Sequence, residues 1–155
     1  MERHDECIAK AKQSLAVGEH VLKITYPLLK ESKLLLAVLE RIHDSHTALL
    51  QAVLTFEREA RTIPPFHANF ESMWNTVTLR LATKYSPTGS ELTLFKTIEQ
   101  TIKFHKEAAV AFGRKGDLIL ASDEYVIQKI TLESVSGAMR DTQKIITNWS
   151  RLLKK

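Results

Sequence analysis

Cysteine is almost absent from the sequence, with Cys7 the single example among 155 residues. One cysteine cannot form an internal disulfide, and it excludes a zinc site built from several thiolates. The neighbouring Asp5 and Glu6 provide none of the positive surroundings that activate a thiolate nucleophile. Such cysteine usage suits the reducing cytosol, so we predict a cytoplasmic protein.

Long hydrophobic runs are also missing. The longest, LLLAVL at 34–39, falls far short of the roughly 20 apolar residues of a membrane-spanning helix. The charged start MERHDEC is followed by no apolar segment, so no signal peptide is predicted. Hydrophobic residues at 44% and charged residues at 26% are ordinary for a globular protein. We expect one soluble domain over residues 1–155, with no transmembrane segment.

The net charge of +4 is unevenly placed. Residues 1–62 carry nine acids and nine bases, whereas residues 63–155 carry nine acids and thirteen bases. An excess of this kind can indicate a surface for nucleic acid or for an anionic membrane. The alternative is a solvated, lysine-rich surface that ends in a frayed basic terminus.

Apolar residues recur at spacings of three and four along five segments, which predicts five helices. Gly18 lies on the first apolar stripe, where another helix can approach closely. A break is expected at 25–32, because Tyr26 precedes a proline. The predicted helices span about 3–25, about 33–60, from Pro65 or Phe66 to about Leu81, from the turn at 85–90 to Phe112, and about 131–153.

Residues 117–130, DLILASDEYVIQKI, have a different pattern. Two short runs of aliphatic and β-branched residues flank Ser122-Asp123-Glu124, which favours a small β-hairpin, with continued helix as the alternative. Thr131 and Ser134 form a plausible cap before the last helix. The predicted fold is mainly all-α, an antiparallel bundle of four to five helices with this hairpin before the last helix.

Six histidines raise the question of a metal site. His43 and His46 lie three residues apart on one helix, and His105 is a candidate third zinc ligand. The sequence contains one Glu-x-x-His unit, at 40–43, whereas a di-iron bundle needs two. We therefore favour core histidines and predict no metal. No P-loop, Rossmann, nucleophile-elbow or kinase motif occurs, so no cofactor is predicted either.

The segment RTIPPFHANFE at 61–71 combines Arg61 and His67 with a Pro-Pro pair. The backbone before each proline should be extended, and a helix is expected to begin near Pro65 or Phe66. His67 would then lie in the first turn, where the helix dipole favours the neutral imidazole that a general base needs. Arg61 has five donors with which to hold a phosphate. Together they suit metal-independent cleavage of RNA.

A structural role is the alternative for the same segment. In that interpretation the Pro-Pro pair sets the angle between two helices, and Phe66 and Phe70 pack against the core. Arg61 would then form an ion pair with Glu57, four residues earlier.

The stretch FEREARTIPPFHANFESMW, with FGRKGDLILASDEYVIQKITL further on, resembles a group of small archaeal proteins over most of the chain. The most specific part is IPPFH-x-NFES, at Ile63–Ser72. That group is similar in turn to the HEPN superfamily of helical bundles, many of which are RNases with an Arg-x4–6-His motif, usually assembled across a dimer interface. The resemblance implies catalysis by Arg61 and His67 and a homodimer, although Pro64 and Pro65 interrupt a region that is commonly helical in that family.

We therefore interpret the chain as a HEPN-like bundle that dimerises and binds RNA, with Arg61 and His67 as the candidates for cleaving it. The first alternative is a non-catalytic protein-interaction module, such as an adaptor or an antitoxin-like partner. The second is membrane-surface association through the amphipathic segment KIITNWSRLLKK, which contains Trp149. The basic residues expected to contact RNA phosphates are Arg114, Lys115, Arg140, Lys144, Arg151 and Lys154.

Overall fold

Helices form most of the protein in the computed structural model, which describes residues 3–153. The α-helices are α1 (His4–His20), α2 (Tyr26–Leu29), α3 (Lys33–Glu59), α4 (Phe70–Arg80), α5 (Ala82–Tyr85), α6 (Gly89–Glu107) and α7 (Leu132–Leu152), and a π-helical turn, Val21–Thr25, joins α1 to α2. The strands are β1 (Val110–Arg114), β2 (Asp117–Ala121) and β3 (Ile127–Ile130). The prediction of a mainly helical fold with a small hairpin before the last helix is confirmed at this level.

The long helix α3 lies at the centre and contacts α1, α4, α6 and α7. Its second half is buried on nearly all sides, from Leu49 to Glu57 with few interruptions. Ser45 on α3 donates a hydrogen bond to the carbonyl of Ala11 on α1, at 2.8 Å. Burial this complete requires neighbours on every side, so the other helices pack around α3.

The direction of each helix follows from its contacts with α3. On α1, Ala11 pairs with Ser45 and Gly18 lies against Arg41, so α1 is antiparallel to α3. Helix α7 begins beside the amino-terminal half of α3, with Thr142 against His46, and runs in the same direction as α3. The three-stranded sheet lies between α6 and α7 in sequence, at the amino-terminal end of α3, where Gly113 of β1 lies against Ser32.

The predicted close approach at Gly18 is confirmed. Gly18 is buried, and a Cβ placed there would lie 3.1 Å from the Cβ of Arg41 and 3.3 Å from the Cε of Met139. Helices α1, α3 and α7 therefore meet at this residue, and both distances are shorter than an ordinary van der Waals contact of a Cβ.

The break expected at 25–32 is present, but it comes after the proline and not at Tyr26. The helical path continues through Pro27 to Leu29 and ends at Lys30, which has a left-handed φ of 51°. The turn before it is π-helical, with the Tyr26 N–H bonded to the Val21 carbonyl. This switch in hydrogen-bond pattern accommodates the missing N–H of the proline, which would otherwise interrupt an α-helix.

The helix expected to reach Phe112 ends earlier, at Glu107. Residues Val110–Arg114 form β1, which pairs antiparallel with β2 and extends the predicted hairpin to three strands in the order β1-β2-β3. Lys115 and Gly116 both have positive φ, 52° and 87°, as a two-residue type I′ turn requires. Gly116 thus makes a hairpin turn and does not end a helix.

The predicted cap of the last helix is confirmed. The Ser134 N–H donates to Thr131 Oγ1 at 3.0 Å, and the Ser134 hydroxyl accepts from the Thr131 N–H at 3.3 Å. Serine thus takes the position usually filled by Glu or Gln in a capping box. Within residues 3–153, no helix is long and apolar enough to cross a membrane.

Replacing Gly18 tests the three-helix contact. Gly18→Leu should lower the free energy of unfolding by about 1–3 kcal/mol, because the larger side chain overpacks a closed contact. Urea unfolding measures the change. The control is Gly89→Leu, at a helical glycine with nothing within 4 Å of a Cβ. Equal losses in the two variants would contradict the close approach.

Candidate functional site

The segment 60–69 forms an elbow between α3 and α4. It turns at Arg61, which has a left-handed φ of 60°. Ile63 is buried in the core and Phe66 packs against it, whereas Pro64 and Pro65 are exposed. The buried Ile63 side chain therefore anchors the elbow to the core, and the two prolines restrict its backbone conformation.

Helix α4 begins at Phe70, four residues or more after the expected start at Pro65 or Phe66. Asn69 is its cap, and its side chain accepts a 2.8 Å hydrogen bond from the Ser72 N–H. The asparagine caps better than the preceding residues and sets the boundary. His67 therefore lies two residues before the cap, and the expectation that it occupies the first turn is wrong. The helix dipole of α4 is therefore no basis for a role of His67 as a general base.

A buried carboxylate holds the start of the elbow. Glu57 is only 1% exposed, and three side chains donate hydrogen bonds to it. Thr62 Oγ1 lies 2.8 Å from Oε1, while Lys84 Nζ and the Tyr85 hydroxyl lie 2.5 and 2.8 Å from Oε2. The Thr62 N–H also donates to the Glu57 carbonyl, at 3.0 Å. Glu57 thus joins α3, the elbow and α5.

The charge state of this cluster follows from two opposing effects. Burial alone raises the pKa of Glu57, but the hydrogen bonds from Lys84, Thr62 and Tyr85 and the charge of Lys84 together lower it below the ordinary value. Burial, together with the hydrogen bond to the carboxylate, raises the pKa of Tyr85. Glu57 is therefore ionised at neutral pH and Tyr85 is protonated.

Arg61 and His67 are both exposed on the elbow. Across residues 3–153, neither forms a salt bridge or a side-chain hydrogen bond, although the Arg61 N–H bonds to the Arg58 carbonyl at 3.0 Å. The alternative prediction that Arg61 pairs with Glu57 is wrong, because Lys84 is the ion-pair partner of that carboxylate. The structure thus places the two candidate catalytic residues on one short, anchored segment, with their polar groups open to solvent.

Three of the predicted phosphate contacts lie together on α7. Arg140, Lys144 and Arg151 are exposed at spacings of four and seven, so they share one helix face. With Gln143, Thr147 and Asn148 they line a cleft of about 510 Å³. Within the described part of the chain none of the three cations forms a salt bridge; Arg151 donates to the Asn148 side chain at 2.9 Å. We call Arg140, Lys144 and Arg151 the α7 basic face.

Arg114 and Lys115 lie elsewhere, at the β1–β2 turn. Gly113 of this hairpin faces Ser32, which precedes α3, and the Tyr26 hydroxyl donates to the Gly116 carbonyl at 3.1 Å. The hairpin turn is therefore at the amino-terminal end of α3, whereas the elbow follows its carboxyl-terminal end. Since 27 helical residues span about 40 Å, these cations lie far from Arg61. Lys154 lies outside the described residues.

The carboxyl-terminal end of α7 lies at the same end of the molecule as the elbow. The Trp149 and Tyr85 rings meet at a centroid distance of 5.6 Å, and Tyr85 binds Glu57, which in turn holds Thr62. A continuous series of contacts thus connects α7 near Arg151 with the residue next to Arg61. The same burial of Trp149, at 2% exposure, argues against insertion of this helix into a membrane, because its apolar face is already in the core.

The histidines do not assemble into a metal site. Among residues 3–153, no three or more His, Cys, Asp or Glu side chains form a group that could hold a metal ion. His46 is fully buried; its Nε2 lies 2.9 Å from Thr142 Oγ1, and burial lowers its pKa well below the ordinary value. The prediction of a core histidine is confirmed at this residue. Burial also lowers the pKa of His43, whereas His105 is half-buried on α6.

The sequence analysis missed the role of Glu57 and its two partners on α5. One signal was available, since Glu57 follows Phe56 and lies four residues after Val53, on the apolar stripe of α3. A carboxylate at such a position needs donors. Lys84 and Tyr85 come more than 25 residues later, and no local pattern connects them with Glu57.

Replacing Glu57 tests the anchor. Glu57→Gln should lower the free energy of unfolding at neutral pH by about 1–3 kcal/mol, because a charge-assisted hydrogen bond is lost. The folded state lowers the pKa of Glu57, so its stabilising effect is complete above the unfolded pKa of about 4.3 and is lost as pH falls further. The difference between the variant and the wild type in urea unfolding should therefore shrink below about pH 4.

The matched control is Glu59→Gln, at an exposed carboxylate two residues away with no salt bridge in the described structure. It should leave the stability unchanged. A Glu57→Gln loss that does not depend on pH would contradict the charged anchor.

No family model, no curated protein and no solved structure matches the chain.

Proposed function

We propose that this is a cytoplasmic, HEPN-like protein that binds RNA along the α7 basic face. The observation that carries the proposal is the set of three cations without acidic partners that share one helix face. Between Arg140 and Arg151 the one acidic residue is Asp141, which lines a neighbouring cleft with Glu91 and Lys144 but forms no salt bridge with Lys144 in the described structure. Arg and Lys side chains arranged in this way bind phosphates, whereas paired cations are already neutralised.

Single-stranded RNA fits this face better than a duplex. The cleft also contains the amide and hydroxyl groups of Gln143, Thr147 and Asn148, which can bond to bases or to ribose 2′-hydroxyls. A set of three cations along one helix matches a short length of phosphate backbone. The basic hairpin turn at Arg114 and Lys115 lies at the other end of α3 and is not part of this binding face.

We further propose that Arg61 and His67 cleave the bound RNA. The α7 basic face leads towards the elbow, so a strand bound there can continue past both side chains. His67 accepts the proton of a ribose 2′-hydroxyl, whose oxygen attacks the adjacent phosphorus. The bond from phosphorus to the 5′-oxygen breaks, and the leaving oxygen takes a proton from solvent water, so the products carry a 2′,3′-cyclic phosphate and a 5′-hydroxyl. Arg61 stabilises the charge on the phosphorane-like transition state.

The elbow meets the mechanical requirement for this chemistry. Ile63 is buried on one side of the Pro-Pro pair, and Asn69 fixes the start of α4 on the other. Thr62 is bonded to the buried Glu57. Catalytic side chains need a backbone that holds them in place, and both candidates lie on a segment held at both ends.

Removing the α7 basic face tests RNA binding. The triple variant Arg140→Ala, Lys144→Ala, Arg151→Ala should bind labelled single-stranded RNA more weakly in fluorescence anisotropy. Each lost phosphate contact lowers the slope of log K against log salt by ~0.7, so the triple variant should lose about two units. The folded state is checked by circular dichroism.

The matched control removes the same amount of charge from three other helices. It is the triple variant Lys33→Ala, Arg80→Ala, Lys106→Ala, whose three side chains are all exposed and lie on α3, α4 and α6. The control should keep nearly the full salt slope. Equal weakening in both triples, or no RNA binding by the folded wild type, would overturn the proposed face.

Cleavage is tested in EDTA with Arg61→Ala and His67→Ala. Each should slow the formation of cyclic-phosphate ends by at least about 100-fold, the smaller end of what a general base or a charge stabiliser contributes. Arg61→Gly serves as a second variant, because glycine adopts the left-handed φ of this turn without strain. Arg80→Ala and His20→Ala are the matched controls and should leave the rate unchanged.

Either of two results would overturn the assignment of catalysis to Arg61 and His67, and the first of them would leave an RNA-binding adaptor. One is a folded wild type that binds but cleaves none of a varied set of RNAs. The other is cleavage that survives both His67→Ala and Arg61→Gly, which points to a contaminating nuclease or to other residues.

A further inference from the structure

The first strand of the sheet has an open edge along its whole length. β1 pairs with β2 on one side, and all five of its residues, Val110–Arg114, are exposed. The pairing with β2 is continuous from Val110 to Arg114, without a bulge. An edge of this kind presents unpaired N–H and C=O groups, which are ready to bind another strand.

The hairpin geometry identifies which backbone groups are free. In a two-residue type I′ hairpin, the residues that flank the turn, Arg114 and Asp117, form a hydrogen-bonded pair. Pairs alternate along an antiparallel ladder, so Phe112 and Val110 also bond to β2. The N–H and C=O groups of Ala111 and Gly113 therefore point away from β2, towards the open edge.

The usual protection of an edge strand is missing from β1. It contains no lysine and no proline, and its one charged residue, Arg114, comes last. The other edge strand, β3, is different: it is four residues long, contains Lys129 in a 3.2 Å salt bridge with Asp117, and leads directly into α7. Natural proteins block edges with lysine and short strands, so β1 is the edge that remains available for pairing.

Apolar side chains accompany the open edge. Val110 and Phe112 are 51% and 44% exposed and lie on the outer face of the sheet, opposite Ala121 and Ile119. The inner face contributes Leu118, Leu120 and Ile130 to the core. The outer face of the sheet is thus apolar as far as Phe112, on the edge strand.

We propose that two copies of this chain pair through β1 in antiparallel orientation and form one six-stranded sheet. With the twofold axis at Phe112, Ala111 of one copy lies opposite Gly113 of the other, and four backbone hydrogen bonds form. The two Phe112 side chains face each other as a non-hydrogen-bonded pair, the closer kind, with Cα atoms about 4.5 Å apart.

Charge favours a second copy in this orientation. One end of the hairpin is basic, with Arg114 and Lys115 at the turn. The opposite end is acidic, with Asp123 and Glu124 in the β2–β3 loop. Antiparallel pairing brings the basic end of each copy beside the acidic end of its partner, whereas parallel pairing would bring like charges together.

Additional exposed apolar surface lies on α2, near the hairpin turn. Leu28 and Leu29 of α2 are 78% and 60% exposed. Their helix is held against the hairpin by the Tyr26 bond to Gly116 and by the approach of Ser32 to Gly113. A stable interface buries about 800 Å² per partner, more than a five-residue strand supplies, and these leucines enlarge the contact.

The register is tested by cysteine cross-linking. Phe112→Cys should form an intermolecular disulfide rapidly under mild oxidation, because the two Cα atoms lie within disulfide range. The control is Val110→Cys, on the same face of the same strand. Its symmetry mate lies about 13 Å away along the strand, so it should cross-link much more slowly. The native Cys7 is fully buried and does not compete.

The dimer itself is tested by sedimentation equilibrium over micromolar to near-millimolar concentrations. Ala111→Pro removes an outward N–H from each copy without breaking a bond to β2, and should raise the dimer Kd by roughly 30-fold or more. Ile127→Lys, on the far edge strand, is the control and should leave the Kd unchanged. Circular dichroism confirms that both variants are folded.

The proposal is independent of RNA binding. A wild type that stays monomeric over the whole concentration range would overturn it. So would cross-linking of Phe112→Cys no faster than that of Val110→Cys, which would point to random encounter or to a different interface.

Discussion

The burial of α3 is the constraint on which the rest of the structure depends. A helix of 27 residues that is apolar on nearly all sides near its end must be covered by neighbours on all those sides. Gly18 allows α1 and α7 to approach together, and the aromatic rings of α4, α6 and α7 meet around Phe95. The functional candidates are placed by this arrangement, because the elbow begins where α3 ends.

Glu57 is the charged side chain buried near the carboxyl-terminal end of α3, and it fixes the positions of the neighbouring segments. Taking the Glu57 carboxylate out of water is costly, and its bonds to Lys84, Tyr85 and Thr62 offset that cost without adding much net stability. The bonds do fix positions: α5 is tied to α3, and the first residues of the elbow are tied to both. Stability therefore comes mainly from the apolar contacts, while Glu57 determines where Arg61 is presented.

The sequence was sufficient to predict those elements whose structure depends on neighbouring residues. The stripes of α3 and α7, the cap at Thr131 and the hairpin at 117–130 all follow from residues within a few positions of one another. Phe112 shows where this fails, because it continues the spacing of α6 but lies in β1, whose pairing with β2 outweighs helix propensity. Arg61 and His67 could be identified as candidates from their spacing in the sequence. The partner of Glu57 could not, because Lys84 lies 27 residues further along the chain.

The two proposals together constrain how the protein would work. A dimer through β1 joins the molecules at the amino-terminal ends of α3, whereas both elbows lie at the other ends, about 40 Å away along that helix. Arg61 and His67 of different copies therefore do not meet in this dimer. The resemblance to HEPN proteins implies a site shared across an interface, whereas in the proposed dimer each elbow would act alone. The proposed dimer would then present two separate basic faces, and its effect on RNA would be avidity along a strand long enough to reach both.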